Sequence, residues 1–253
     1  MFETAIVRRP GKSMVRGLTT AELGSPDYQK ALLQHKEYIN VLKECGLEVL
    51  ILPEDEQYPD STFVEDVALL TKTHAIITNP GAPSRRGETT EIKKVLREFY
   101  TTIVEVKEPG RVEAGDIMMV DSHFYIGISN RTNRDGAQQV IAYLEEYGMS
   151  GSVVELEKVL HLKTGVAYLE HNNLVACGEF VTNAEFQRFN ILEIDEDESY
   201  AANCVWVNER VLIPKGYPKA KETVESAGYE TNEVDVSEFR KLDGGLSCLS
   251  LRF

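Results

Sequence analysis

Short apolar runs recur along the chain, and each leads into a turn marked by glycine or asparagine. The runs AIVRRPG, AIITNPG, FYIGISN, NLVACGE and RVLIPKG begin at residues 5, 75, 124, 173 and 210. Most are preceded by another apolar stretch and followed by a helical pattern and a β-branched segment, so the unit reads strand–strand–helix–strand. The clearest helix is expected over Pro26–Cys45, with Ser25 as N-cap, Pro26 in the first turn and Gly46 as the stop. Its inward positions would be Tyr28, Leu32, His35, Ile39, Leu42 and Cys45. A second helix is expected over Glu88–Tyr100, with Ile92, Val95, Leu96 and Phe99 on one side. Others fit Asp135–Tyr147, Asn183–Leu192 and Pro218–Ala227. The segments LEVLILP, TTIVEV, SVVELE, LEID and TNEVDV follow these helices as third strands.

A long-period repeat of this kind points to a solenoid or a propeller. The final segment CLSLRF lacks a hairpin partner and the Thr4–Arg8 strand lacks a preceding one, so pairing them would complete a fifth unit and remove two open edges. The expectation is α/β: a five-bladed pseudosymmetric propeller of ββαβ units, in one catalytic domain spanning residues 1–253. No linker or low-complexity tract divides it. A doubly wound sheet would need regular βα alternation and a phosphate-binding glycine turn, and neither is evident.

Chemistry-bearing residues fall at the opening of each unit's first strand. In order these are Glu65 with Asp66, Glu113 with Asp116, His161, Asn203, and the turn LDGGLSC that ends on Cys248. Equivalent points of a closed radial repeat converge, which would gather a thiol, an imidazole and several carboxylates. Glu65 and Asp66, at the mouth of an apolar strand, would face opposite sides. For Asp116, turn capping is as good a reading as direct chemistry. His35, His74, His123 and His171 fit packing or surface roles.

The net charge of −14, from 27 Lys+Arg against 41 Asp+Glu, argues against nucleic acid and anionic membranes as partners and suits a small cationic substrate. The N-terminal segment has no signal-like apolar run, and no stretch approaches bilayer length, so a cytoplasmic location is expected. The four cysteines have no metal-knuckle spacing. Cys45, Cys177 and Cys204 read as buried small hydrophobes.

A thiolate with an imidazole nearby can attack an electrophilic carbon while the histidine moves protons. Carboxylates around it disfavour a free thiolate but suit a planar guanidinium, whose charge would favour the thiolate on binding. The reaction class is attack of Cys248 on an amidine-like carbon, loss of an amine, then hydrolysis, with His161 as acid and base. A substrate with an amino-acid end also needs a carboxylate clamp. Arg85, Arg86 and Arg131 follow turns near those acids, although a solvated arginine is the simpler reading of each, and spacing does not separate Arg85 from Arg86.

The ordered motifs FVEDVALL, ITNPGAPSRRGE, VEAGD, IGISNRTN, LHLKTG, AANC and DGGLSCLSLRF resemble the dimethylarginine dimethylaminohydrolases of the guanidino-group-modifying superfamily, end to end. The resemblance implies a five-bladed α/β propeller that hydrolyses Nω-methylated L-arginine to L-citrulline and dimethylamine or methylamine. It implies Cys248 as nucleophile through a thiouronium intermediate, His161 as general acid/base, and Asp66 and Glu113 holding the guanidinium. It further implies that Leu18, Asp60, Glu65, Arg85 and Arg131 contact the amino-acid end, with the Leu242 carbonyl assisting. It selects Arg85 over Arg86. No metal or organic cofactor is implied, although zinc could bind Cys248 and His161 as an inhibitor, and a homodimer is left open. Arginine deiminases carry an acid two residues after the histidine; here Lys163 stands there, which suits a methylated nitrogen, unless the side chain merely points outward. VEAGD has Ala114 where the family often has glycine. The rival readings are an arginine deiminase, a silent guanidine-binding protein, and metal-dependent hydrolysis.

Overall fold

The structure, a computed structural model, describes all 253 residues. They form five three-stranded sheets. In each, the expected second strand lies in the middle, antiparallel to one neighbour and parallel to the other. The chain divides into two compact units, Met1–Val64 with Gly165–Phe253, and Glu65–Thr164.

In the first unit, Thr4–Arg8 pairs in parallel with Glu48–Leu52 and antiparallel with Leu251–Arg252, in the register Ala5 to Arg252 and Ile6 to Leu251. The expected pairing of the terminal strands is therefore present. Val166–Tyr168, Asn173–Ala176 and Asn190–Glu193 form a second sheet, and Val205–Val207, Arg210–Pro214 and Glu230–Val234 a third. The unit Glu65–Thr164 holds two sheets, Ala68–Leu70 with Ala75–Ile77 and Ile103–Glu105, and Ile117–Val120 with His123–Ile128 and Ser150–Glu155. Central strands such as Ala5-Ile6-Val7 are buried throughout, which is why they read as unbroken apolar runs.

Three helices follow the pattern closely. Tyr28–Glu44 starts later than expected: Asp27, not Ser25, is the N-cap, accepting the Lys30 amide. Pro26 therefore precedes the helix. Its inner face is Ala31, Gln34, His35, Tyr38, Ile39, Val41 and Leu42, while Leu32 and Tyr28 are only half-buried. Arg134–Glu145 is capped by Asn133, and Pro218–Ser226 begins on its proline. The expected helix Glu88–Tyr100 is instead a 3-10 segment, Pro83–Glu88, running into an α-helix, Thr89–Leu96. Phe99 lies beyond that helix's end and is exposed. The expected helix Asn183–Leu192 is absent. A 3-10 turn at Ala184–Phe186 leads into the strand Asn190–Glu193, which starts two residues before LEID. Phe186 and Phe189 pack at a three-residue spacing, the period of a 3-10 turn.

The openings of the units are not strand mouths. Each is a 3-10 turn: Val64–Val67, Ala114–Asp116, Leu162–Thr164, Glu196–Ala202 and Ser247–Leu249. Glu65 and Asp66 therefore do not alternate across a strand; successive residues of a 3-10 turn sit a third of a turn apart. The reactive residues lie on tight hydrogen-bonded corners rather than on extended backbone.

The core of the first unit gathers Tyr38, Leu42, Phe63, Phe239, Leu246 and Leu249. Leu246 and Leu249 are fully buried on either side of Cys248. Burial of each contributes about 1.5–3 kcal/mol, which anchors the turn between them. The Tyr38 hydroxyl donates to the Leu246 carbonyl at 2.9 Å. The core of Glu65–Thr164 is built from Ile76, Val112, Ile117, Phe124, Ile126, Val140 and Leu144.

Candidate active site

Within Glu65–Thr164 the residues singled out from sequence form one charged cluster. Glu113, fully buried, precedes the turn Ala114–Asp116. One of its oxygens accepts the Ala82 amide at 3.1 Å and an Arg131 nitrogen at 3.2 Å; the other lies 2.9 Å from His161 Nε2. Burial alone would raise the Glu113 pKa, but the His161 hydrogen bond, with the charges of His161, Arg85 and Arg131, holds it well below the usual carboxylate range. Burial would likewise drive His161 down. The negative charge of Asp116, the hydrogen bond to Glu113 and the charge of Asp66 overcome this and raise it to about 9. At neutral pH the pair is a carboxylate and an imidazolium.

Asp116, also fully buried, accepts the Leu162 amide at 2.9 Å and the Ser129 hydroxyl at 2.7 Å, and burial raises its pKa. It ties the turn that follows Glu113 to the one that follows His161. Asp66 accepts the Gly115 amide at 3.1 Å and Arg85 Nη1 at 2.5 Å. A side chain at position 115 would come within 2.7 Å of the Asp66 carboxylate and 3.1 Å of the His161 ring, so only glycine lets these approach. Ala114 needs no such freedom. Its φ is not positive, and it is buried without strain.

Arg85 is not a solvated arginine. It is 4% exposed and forks onto Glu88, with Nη2 to Oε2 at 2.8 Å and Nε to Oε1 at 3.1 Å, while its third nitrogen meets Asp66. Arg86 instead pairs with Glu108 at the surface, so burial separates the two. Arg131 is partly exposed on Glu113. Lys163 does not point outward: its ammonium meets Glu65 at 2.6 Å, and its side chain is 17% exposed. Sequence reasoning missed Glu88, although Arg85-x-x-Glu88 was the available signal, because side chains three apart eclipse on a 3-10 segment. One ligand atom each from Asp66, Glu113 and His161 lies within 4.8 Å of the others, a set able to hold a metal ion.

In the other unit, Leu18, Asp60 and Leu242 form a second cluster. Asp60 is buried and accepts the Leu18 amide at 2.9 Å. A Cβ on Gly17 would meet Asp60 at 2.7 Å and the Leu242 side chain at 3.3 Å, so the three residues close around that glycine. Leu18 is exposed.

Cys248 sits in the turn Ser247–Leu249 and is partly exposed. The Gly245 amide donates toward its sulfur at 3.4 Å. A side chain at position 244 would strike the Phe63 ring at 2.2 Å, and one at 245 the Asn203 amide at 2.4 Å; both glycines answer to close approach. The other cysteines are buried as expected. Burial raises the thiol of Cys45, pushes Cys177 up to about 11 and pushes Cys204 up to about 12, which keeps all three protonated.

The eukaryotic N,N dimethylarginine dimethylhydrolase family model matches residues 24–246. The chain is 61% identical to the N(G),N(G)-dimethylarginine dimethylaminohydrolase of Pseudomonas aeruginosa, over the full length of both. A solved structure from Pseudomonas aeruginosa, a cysteine-to-serine variant complexed with citrulline, covers both chains fully at 60% identity and a TM-score of 0.99. A histidine-to-glycine dimethylarginine dimethylaminohydrolase, as an adduct with S-methyl-L-thiocitrulline, matches equally well, with a TM-score of 0.99 and 60% identity. The fold class is the five-unit pseudosymmetric α/β propeller that the repeat implied. A family model spanning most of the chain and a full-length relative at this identity lead to one conclusion: the chain belongs to the dimethylarginine dimethylaminohydrolase family.

Proposed function

We propose that this chain, acting as one catalytic domain over residues 1–253, hydrolyses Nω-methylated L-arginine to L-citrulline and dimethylamine or methylamine. It is a hydrolase of C–N bonds in linear amidines. Cys248, as thiolate, attacks the central guanidinium carbon and forms a C–S bond. His161, as imidazolium, passes its proton to the methylated nitrogen, and the C–N bond breaks with loss of the amine. The now neutral imidazole takes a proton from water, whose oxygen attacks the thiouronium carbon. The C–S bond breaks as the thiolate returns, and the added hydroxyl gives up its remaining proton to solvent, where the released amine takes one up, leaving the ureido carbonyl of citrulline.

The observation that carries this reading is the Glu113–His161 pair, in which buried acids hold the imidazole protonated, ready for the acid step that comes first. Asp66 and Glu113 hold the guanidinium. Leu18, Asp60, Glu65, Arg85 and Arg131 serve the amino-acid end with the Leu242 carbonyl. The two solved relatives, one with citrulline and one an adduct with a thiocitrulline, support the product and the covalent route. Lys163, turned onto Glu65, offers no acid to a second nitrogen, which favours methylated over plain arginine. No organic cofactor enters. Zinc would inhibit by competing for the Cys248 thiolate and the His161 imidazole. No helix is long and apolar enough to cross a membrane, and the site of action is read as the cytoplasm.

The deciding assay follows methylamines and ammonia released from plain, monomethyl and dimethyl arginine, with and without excess chelator. Methylamine release with matching citrulline, unaffected by chelator, is expected. Ammonia from plain arginine as the main product would make the chain a deiminase instead.

A further inference from the structure

Asn203 opens the fourth unit, yet no step of the reaction above uses it. It is 7% exposed and its amide is spent on a residue 44 positions later: Asn203 Nδ2 donates to Ser247 Oγ at 3.0 Å, and Asn203 Oδ1 accepts the Ser247 backbone amide at 3.0 Å. The same 3-10 segment supplies a second tether, since the Tyr200 hydroxyl donates to the Gly244 carbonyl at 2.7 Å. The Tyr200 ring is itself held, with the Arg240 guanidinium 4.8 Å above it. Between these tethers lies Gly245, whose amide is the donor that reaches the Cys248 sulfur. The absent side chain of Gly245 is what allows Asn203 to press against the turn.

We infer that Asn203, with Tyr200, is a positioning residue for Cys248: it holds the Gly244–Ser247 corner so that the Gly245 amide points at the sulfur and favours its thiolate. The physical ground is that a hydrogen bond to the charged form of an ionisable group stabilises that form over the neutral one. A neutral amide can supply such help without another charge in an acidic protein. Both donor and acceptor of the Asn203 amide are engaged by one partner, which fixes the corner in two directions at once. This inference rests on the reading of Cys248 as the nucleophile, and extends it to what prepares the thiol.

The test is the pH dependence of Cys248 alkylation by iodoacetamide in the full-length protein, read by mass spectrometry, alongside kcat and KM for dimethylarginine. The buried Cys45, Cys177 and Cys204 leave the signal to Cys248. Asn203→Ala is expected to move the alkylation midpoint up by about one pH unit, which slows labelling at pH 7 about tenfold, and to lower kcat more than it raises KM. Tyr200→Phe keeps the ring on Arg240, removes one tether, and is expected to slow labelling about threefold. A folded Asn203→Ala protein with the wild-type midpoint overturns the inference. If that variant does not fold, an unchanged rate in Tyr200→Phe does so. Turnover persisting in Cys248→Ala would sink the nucleophile reading alone, while the alkylation midpoints would still report on the clamp.

Discussion

The acid cluster of Glu65–Thr164 and the Cys248 corner are built on opposite principles. In the cluster, Asp66, Glu88, Glu113 and Asp116 are buried, and charge is answered by charge: Arg85, Arg131 and His161. At the corner, the hydrogen bonds that Gly245, Asn203 and Tyr200 make to Cys248, Ser247 and Gly244 join neutral groups, and a charge enters at the Ser247 carbonyl, which accepts Arg252 Nη1 at 3.4 Å. A buried ionic network fixes protonation states firmly, but removing one member leaves an uncompensated charge in low dielectric. A scaffold of neutral hydrogen bonds costs about 0.5–1.5 kcal/mol per bond to lose, so it sets geometry and biases the thiol toward its thiolate by far less than a buried charge would. The difference suits the proposed chemistry, in which His161 as proton donor would be charged before the substrate arrives, whereas Cys248 as nucleophile would need only a bias that the substrate cation completes.

Four experiments press on that contrast. The largest effect should come from Cys248→Ala, with citrulline formation lowered by at least about 10⁴-fold in a chromatographic assay; measurable turnover would remove the corner from the chemistry. Next, Glu113→Gln takes away the carboxylate that bonds to His161. Neutral-pH kcat should fall about 10²-fold. A raised histidine keeps its proton below the folded pKa and loses it as pH rises through about 9, so the alkaline limb of kcat in this variant should move down toward the ordinary value near 6.5. An alkaline limb that stays in place would mean Glu113 does not set the imidazolium.

Third, Glu88→Ala should lower unfolding stability by about 3–5 kcal/mol in urea titrations, because Arg85 would keep its charge with half its partners gone. A variant as stable as the parent would show that the network is less interdependent than its geometry implies. Fourth, and smallest, His35 provides the contrast in the other unit. It is 2% exposed, its Nε2 is unpartnered, and burial lowers its pKa to about 4. Between about 4 and 6.5 the unfolded chain binds the extra proton, so the folded state is favoured fully above 6.5 and loses that advantage as pH falls. The loss is at most about 3 kcal/mol, and His35→Gln should flatten this part of the stability–pH curve. An identical slope in the variant would assign the acid sensitivity elsewhere.

The central strands were legible because burial on both faces writes an apolar run directly into the sequence, and the pairing of Thr4–Arg8 with the last strand followed from counting unpaired edges. The unit openings were located but misread. Turns of three to seven residues carry no periodicity, so Glu65-Asp66 looked like the start of a strand rather than a corner. The segment after Asn183 imitated a helix because Phe186, Phe189 and Leu192 recur every three residues, a spacing shared by 3-10 turns. Glu88 hid as an ordinary acidic residue at a helix start. Asn203 stood at the right place, but its partner Ser247 is remote in sequence, and no local pattern links an amide to a distant backbone turn.

The pairing of the terminal strands also has an engineering consequence. The Phe253 carbonyl accepts the amides of Glu3 and Thr4, both at 2.9 Å, so the backbone at Phe253 and that at Glu3 lie within reach of a short peptide bridge. Joining them and cutting at an exposed hairpin tip, such as Glu170–Asn172, would give a circular permutant that keeps the Ala5–Arg252 register. In such a chain the thiol would no longer lie five residues from a terminus, and a fusion partner would be attached at the Glu170–Asn172 tip instead of beside the Leu251–Arg252 strand.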